Sequence, residues 1–319
     1  MKPSALILCA AVLTSAACAV AQKPAWEPAP GHITLPLWPS GAPGAAALPA
    51  EADMTKPTDN LIAGKPLVRL GNVSNPTLTF YAPHGDAARP AVVVFPGGGY
   101  QILAIDLEGT EVCDWLNSID VACVLVKYRV PNTGPYPKSS AALQDAQRAL
   151  GVVRQHAAEW HIDPNRVGVL GFSAGAHLAA ALSTHFDKRL YDSFDAADQL
   201  NCRPDFAFII YPGYLANAAE HMAQNADINP TEKTPPTFIV QAEDDPVHVE
   251  NATVYFLQLK AAKVPAELHI YAEGGHGYGL RRTELPVTTW PDAAKIWLQT
   301  IKVIPAGIPA GGSTGTVGN

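Results

Sequence analysis

Gly171-Phe172-Ser173-Ala174-Gly175 sets a serine among small residues in a G-x-S-x-G pattern. The apolar run 166–170 precedes it and a helix-forming stretch, 174–184, follows, so Ser173 is expected on a sharp turn from a buried strand into a helix. The flanking glycines permit the close strand–helix packing that such a turn needs, and the first turn of the helix aims unpaired amides at developing negative charge. A serine hydroxyl attacks a carbonyl at neutral pH only when a base takes its proton, so the pattern calls for a histidine and an orienting carboxylate.

Ten histidines are available. His276, in Glu273-Gly274-Gly275-His276-Gly277, directly follows a strand expected at 267–271, where a glycine-rich loop can carry its ring over the sheet edge. His177 is tied to the first turn of the helix behind Ser173 and reads as a packing residue, while His248 and His269 read as helix-entry and strand residues. The carboxylate is sought in Ala242-Glu243-Asp244-Asp245-Pro246, after the strand 237–241; Asp245, held by the proline that follows it, is preferred, with Asp244 the alternative. Phe95-Pro96-Gly97-Gly98-Gly99-Tyr100 closes another apolar run, and its amides, with that of Ala174, can receive a tetrahedral oxyanion. A phosphate loop is excluded, because no Gly-Lys-Ser/Thr follows and 101–107 is apolar.

These residues need a sheet edge to bring them together. Strand candidates fall at 67–70, 77–81, 91–95, 121–128, 166–170, 206–211, 237–241 and 267–271, with helices at 110–116, 139–160, 174–184, 249–262 and 292–301. Runs such as Ala91-Val92-Val93-Val94-Phe95 indicate strands covered on both faces, so the alternation predicts an α/β sheet, antiparallel at first and then parallel. In the second helix Asp145, Arg148 and Gln155 fall on a face separate from Leu143, Leu150 and Val153, an amphipathic pattern. The short connections 185–204 and 213–236 leave room for only a small cap.

Residues 1–21 combine Lys2, an apolar run and Ala19-Val20-Ala21, the pattern of a secretory signal peptide; the chain is expected to be exported, periplasmic or secreted, with lipid anchoring through Cys18 the lesser alternative. A Pro/Gly/Ala-rich lead at 22–65, a catalytic domain at 66–302 and a flexible tail at 303–319 complete the division. After cleavage Cys113, Cys123 and Cys202 remain, an odd number, so at least one thiol is free. A net charge of −7 without basic blocks argues against nucleic acid as a partner, and the early interruption of the N-terminal apolar run argues against stable membrane insertion. No His/Cys cluster has metal-ligand spacing, and no cofactor is implied.

PGGGY from Pro96, EGTEV from Glu108, KYRVP from Lys127, LQDAQRAL from Leu143, GFSAGAHLAA from Gly171 and GGHGYGLR from Gly274 together resemble the esterase/lipase superfamily of α/β-hydrolases, in its acetyl xylan esterase-like branch. The chain order Ser, Asp, His agrees with that fold. The resemblance implies a mostly parallel eight-stranded sheet flanked by helices, with Ser173, Asp245 and His276 as triad and Gly98, Gly99 and Ala174 as oxyanion donors. Pro96 stands where many relatives have His, which leaves open which glycine amides face the oxyanion. Glu108 is expected to pair with Arg129 or Arg281 and so hold that loop. Tyr100, Tyr214, Tyr278 and Trp290 are candidates for stacking on sugar rings, with Tyr100 and Tyr278 preferred. The expected substrate is an acylated carbohydrate or small ester; a general short-chain carboxylesterase is the main alternative, with a serine exopeptidase and a non-catalytic binding protein behind it.

Overall fold

Five strands buried along most of their length form the middle of an eight-stranded sheet in the computed structural model, which describes residues 25–306. The signal-peptide segment 1–21, Cys18 and residues 307–319 of the tail lie outside the described residues. The strands are β1 (Ile33–Pro36), β2 (Thr77–Tyr81), β3 (Arg89–Phe95), β4 (Ala122–Lys127), β5 (Ile162–Phe172), β6 (Ala207–Ile210), β7 (Thr237–Ala242) and β8 (Ala266–Tyr271). Their order is β1-β2-β4-β3-β5-β6-β7-β8. Only β2 runs against its neighbours; every other pairing in this sheet is parallel. Val, Ile, Leu and Phe fill β3 to β7 because a parallel sheet covered by helices needs apolar side chains on both faces.

Five helices flank the sheet: α1 (Glu111–Ser118), α2 (Ala141–Gln155), α3 (Ala174–Thr184), α4 (Glu250–Ala261) and α5 (Trp290–Thr300). α2 packs against α3, while α1 and α5 meet where the rings of Trp115 and Trp290 lie 5.5 Å apart, edge to face. Between β6 and β7, Ala216–Asn217 and Ala223–Gln224 pair as a short hairpin.

Two expectations are corrected. The run at 67–70 does not open the main sheet: Arg69–Gly71 pairs with Ala52–Asp53 and Ile102–Ala104 in a separate three-stranded sheet. Its place is taken by β1, from the proline-rich lead, which an edge strand tolerates because one side of it makes no ladder bonds. On the polar face of the amphipathic α2, Asp145 and Arg148 are buried. The lead covers that face: Trp38 Nε1 donates to Asp145 Oδ1 at 2.7 Å and Arg148 Nε donates to the Leu37 carbonyl at 3.0 Å. Both charges are paired, Asp145 with Arg129 and Arg148 with Asp195 and Asp198, so burial leaves neither uncompensated. Secondly, Glu108 pairs with neither arginine, because Arg129 is taken by Asp145 and Arg281 by Glu111. Cys113 of α1 and Cys123 of β4 form a disulfide, and Cys202 is a buried free thiol.

Candidate active site

Ser173 sits between the last residue of β5 and the first of α3 with φ 51° and ψ −116°, a strained conformation for a non-glycine residue. The turn is tight enough that a side chain at Gly171 would collide with the Gly175 carbonyl, and one at Gly175 with the Phe95 carbonyl. Glycine is therefore required at both positions, and Ser173 is lifted to the carboxyl edge of the sheet. Its own amide donates to the Ile210 carbonyl at 3.0 Å, which ties the turn to the end of β6.

His276 reaches this edge from the loop after β8. Its Nε2 lies 2.8 Å from Ser173 Oγ and its Nδ1 lies 2.8 Å from Asp245 Oδ2. An ionised carboxylate only accepts, so the proton resides on Nδ1 and Nε2 is free to accept from the serine hydroxyl. Asp245 is buried and held: Oδ1 accepts from the Val247 amide at 2.7 Å, and Oδ2 also accepts from Gln241 Nε2 at 3.1 Å. Asp244 has another task, since its Oδ1 accepts from the amides of Gly274 and Gly275 at 2.9 and 2.8 Å, just before His276. The two adjacent acids thus separate, one against the imidazole and one against its loop. Further along, Arg281 donates to Glu111 and to the carbonyls of Ile62, Lys65 and Pro66, and Trp290 Nε1 donates to the Gly279 carbonyl at 2.8 Å.

The glycine run after β3 lies alongside. A Cβ at Gly97 would come within 2.9 Å of the Ser173 Cβ, so this backbone passes directly over the nucleophile turn. The Gly97 amide is not available to a substrate, because it donates to Glu108 Oε2 at 2.6 Å. The amides of Gly98, Gly99 and Ala174 have no such acceptor among the described residues; Ala174 opens α3, where amides lack intrahelical partners. Gly98 has φ 129°, and a side chain there would collide with the Ile102 carbonyl.

Glu108 lies in a short π-helical turn, Asp106–Thr110, and is buried. Burial pushes its carboxyl up from the ordinary value, while hydrogen bonds from Tyr211 and Gly97 favour the ionised form. Its Oε1 accepts from the Tyr211 hydroxyl at 2.8 Å, and that hydroxyl in turn accepts from the Gly279 amide at 3.1 Å. Glu108 therefore does hold the glycine loop after β3, by direct acceptance and not through a cation.

The preferred stacking candidates are misplaced for that task. Tyr100 and Tyr278 are 2 % and 6 % exposed, and Trp290 is buried, so no ring face is open to a sugar. Tyr100, at φ 61°, hydrogen-bonds His177 Nδ1 at 2.8 Å beneath the loop instead. Burial lowers the pKa of His177 from 6.5 to about 3, with His185 adding to the shift, so it packs as a neutral ring. Tyr214, 41 % exposed, is the aromatic residue of the four that faces outward. Sequence reasoning passed over Tyr211 and Gln241. Each is a polar residue at the carboxyl end of an apolar strand run, the end at which Ser173 lies, and that position was the available signal.

Comparison with known proteins agrees with this fold. Residues 92–233 match the model of a family described as having the alpha/beta hydrolase fold. The chain is 30% identical over 243 residues to an acetylxylan esterase of Xylanibacter ruminicola, covering 68% of this chain and 46% of that protein. It is 28% identical over 227 residues to endo-1,4-beta-xylanase B of Butyrivibrio fibrisolvens, covering 66% of this chain and 35% of that one. The match thus spans less than half the length of either relative. Among solved structures, an acetyl ester-xyloside bifunctional hydrolase from Caldicellulosiruptor lactoaceticus superposes with a TM-score of 0.66 at 33% identity, covering 85% of this chain and 97% of that one. With the sheet order, the strained serine turn and this structural match over most of the chain in agreement, the chain belongs to the α/β-hydrolase family.

Proposed function

We propose that this protein is a serine carboxylic-ester hydrolase that removes short acyl groups, acetyl above all, from plant-type polysaccharide or oligosaccharide. The observation that carries the reading is the unbroken hydrogen-bonded line Ser173 Oγ, His276, Asp245, with 2.8 Å at both links. In this reading Ser173 attacks the ester carbonyl as His276 Nε2 takes its proton, and Asp245 stabilises the imidazolium. The amides of Gly98, Gly99 and Ala174 receive the oxyanion. Collapse expels the alcohol, protonated by His276, and leaves an acyl-enzyme; water deprotonated by His276 then attacks it and frees Ser173 and the acid.

The acetyl and carbohydrate part of the reading is supported by the relatives named above, and by the small size of the hairpin that stands in place of a cap. Export is proposed from the pattern of residues 1–21 and fits the Cys113–Cys123 disulfide, a bond that persists in oxidising compartments. Among the described residues no helix is long and apolar enough to cross a membrane.

The test is acetate release from acetylated xylan and xylo-oligosaccharides, beside a 4-nitrophenyl ester series, with wild type and Ser173→Ala. Release from the sugars that disappears in the variant is the expected result. Turnover of short aryl esters alone would move the function to a general carboxylesterase, and no turnover of any ester would sink the reading.

A further inference from the structure

A cavity of about 600 Å³ does not contain Ser173 but shares walls with its surroundings. Gly213 lines it, and the Gly213 amide donates to the Ser173 carbonyl at 3.4 Å. Val247 lines it too, and the Val247 amide is the one that holds Asp245. The cavity thus opens beside the serine, over the ends of β6 and β7. Tyr214 stands between the two. Its ring centroid is 6.0 Å from that of Tyr100 and 5.9 Å from that of His177, and its hydroxyl would lie 3.9 Å from a Cβ at Gly99. One end of this side chain therefore borders the oxyanion turn while its exposed ring borders the cavity.

The far wall is the β6–β7 hairpin, which Asn251 of α4 ties down: Oδ1 accepts from the Leu215 and Ala216 amides at 2.8 and 2.9 Å, and Nδ2 donates to the Val247 and His248 carbonyls at 2.6 and 2.9 Å. A wall pinned to the loop that carries Asp245 is set in fixed relation to the reacting centre. Along it the side chains of Glu220 and Gln224, with Lys138 opposite, line the cavity and spend no hydrogen bond on the described residues. Uncommitted carboxylate, amide and ammonium groups share this lining with the Tyr214 ring and with apolar Pro135, Ala218 and Met222. Lys138, Glu220 and Gln224 are exposed at this lining, and an acyl chain would make no use of their hydrogen-bonding capacity. A pyranose chain offers C–H faces to the ring and hydroxyls to the polar groups, and the volume is within the range of small-molecule sites.

We infer that this cavity is the site for the alcohol half of the substrate, a neutral polyhydroxylated sugar chain, with Tyr214 as the ring on which the sugar nearest the ester rests. The inference rests on the ester-hydrolase reading above and adds where, and by which residues, the carbohydrate is recognised.

The experiment compares full-length wild type with Tyr214→Ala and Ala219→Trp, using acetylated xylotriose and 4-nitrophenyl acetate as substrates and plain xylotriose as inhibitor. Ala219 is an exposed hairpin residue lining the cavity, so a tryptophan there fills it without entering the core. The expected result in each variant is a fall of at least about tenfold in kcat/KM for the sugar ester relative to the aryl ester, carried by KM, with xylotriose inhibition weakened by a similar factor. If Tyr214→Ala does not fold, Ala219→Trp carries the test alone. An unchanged ratio and unchanged xylotriose inhibition in a folded Ala219→Trp would overturn the assignment while leaving the hydrolase reading intact. A wild type inert on both substrates would instead remove the hydrolase reading, and this inference with it.

Discussion

Glu108 Oε2 accepts from the Gly97 amide at 2.6 Å while its other oxygen accepts from the Tyr211 hydroxyl, so one buried carboxylate braces the oxyanion loop and, through Tyr211, the Gly279 end of the histidine loop. The two halves of the site are thereby set at a fixed spacing. Replacement by Gln removes the charge and leaves one side-chain acceptor where Gly97 and Tyr211 each donate to an oxygen. Glu108→Gln is expected to lower kcat on 4-nitrophenyl acetate by roughly tenfold to a hundredfold, less than or comparable to deleting an oxyanion donor outright. Tyr211→Phe, which spares the Gly97 contact, is expected to lose less. Steady-state kinetics with a melting curve check this; a lowered Tm with unchanged kcat would reduce Glu108 to a structural role.

Asp244 and Asp245 separate by function in the same assay. Asp245→Asn removes the acceptor that sets the His276 tautomer and is expected to lower kcat by about 10³–10⁴-fold. Asp244→Asn keeps an acceptor for the Gly274 and Gly275 amides and is expected to cost on the order of tenfold or less. Equal losses in the two variants would contradict the division of labour.

His177 makes stability depend on pH. Its folded pKa is depressed to about 3 by burial, against 6.5 unfolded, so its contribution is complete above pH 6.5 and is lost as the pH falls towards 3. At pH 5 the loss from this one group is about 2 kcal/mol. His177→Gln retains a hydrogen-bonding group for Tyr100 but does not titrate. Urea unfolding between pH 4.5 and 7 is expected to show a shallower acid slope in the variant, and an identical slope would refute the assignment.

The lead is held by charge as well as by apolar contact. Asp145 accepts from Trp38 and from Arg129, whose guanidinium also donates to the Pro43 carbonyl at 2.6 Å. Asp145→Ala leaves Arg129 buried without its partner, and a destabilisation of about 3–5 kcal/mol is expected in denaturant unfolding. Protease sensitivity of 25–45 in the folded variant would show the lead released.

The Ser173 turn, the histidine in its glycine loop and the alternation of apolar strands with helices were all readable in one dimension, because each is a local pattern: a G-x-S-x-G between strand and helix, and buried runs of β-branched residues. The choice between Asp244 and Asp245 was not, since neighbouring carboxylates differ only in where the folded loop points them. Nor was the edge strand at Ile33–Pro36, which its closing proline and the proline-rich lead around it hide until β2 offers a partner. Asp145 and Arg148 were legible as the polar face of a helix, but not what covers them: Leu37 and Trp38, about a hundred residues earlier, do so in the fold. Glu108 was visible as a charge beside the glycine run, but its partners, Gly97 and Tyr211, are fixed only when β3 and β6 come to lie on either side of β5. Local chemistry is written in neighbouring residues, whereas the pairing of buried polar groups depends on which distant segments the sheet brings together, and that is settled by burial and strand order.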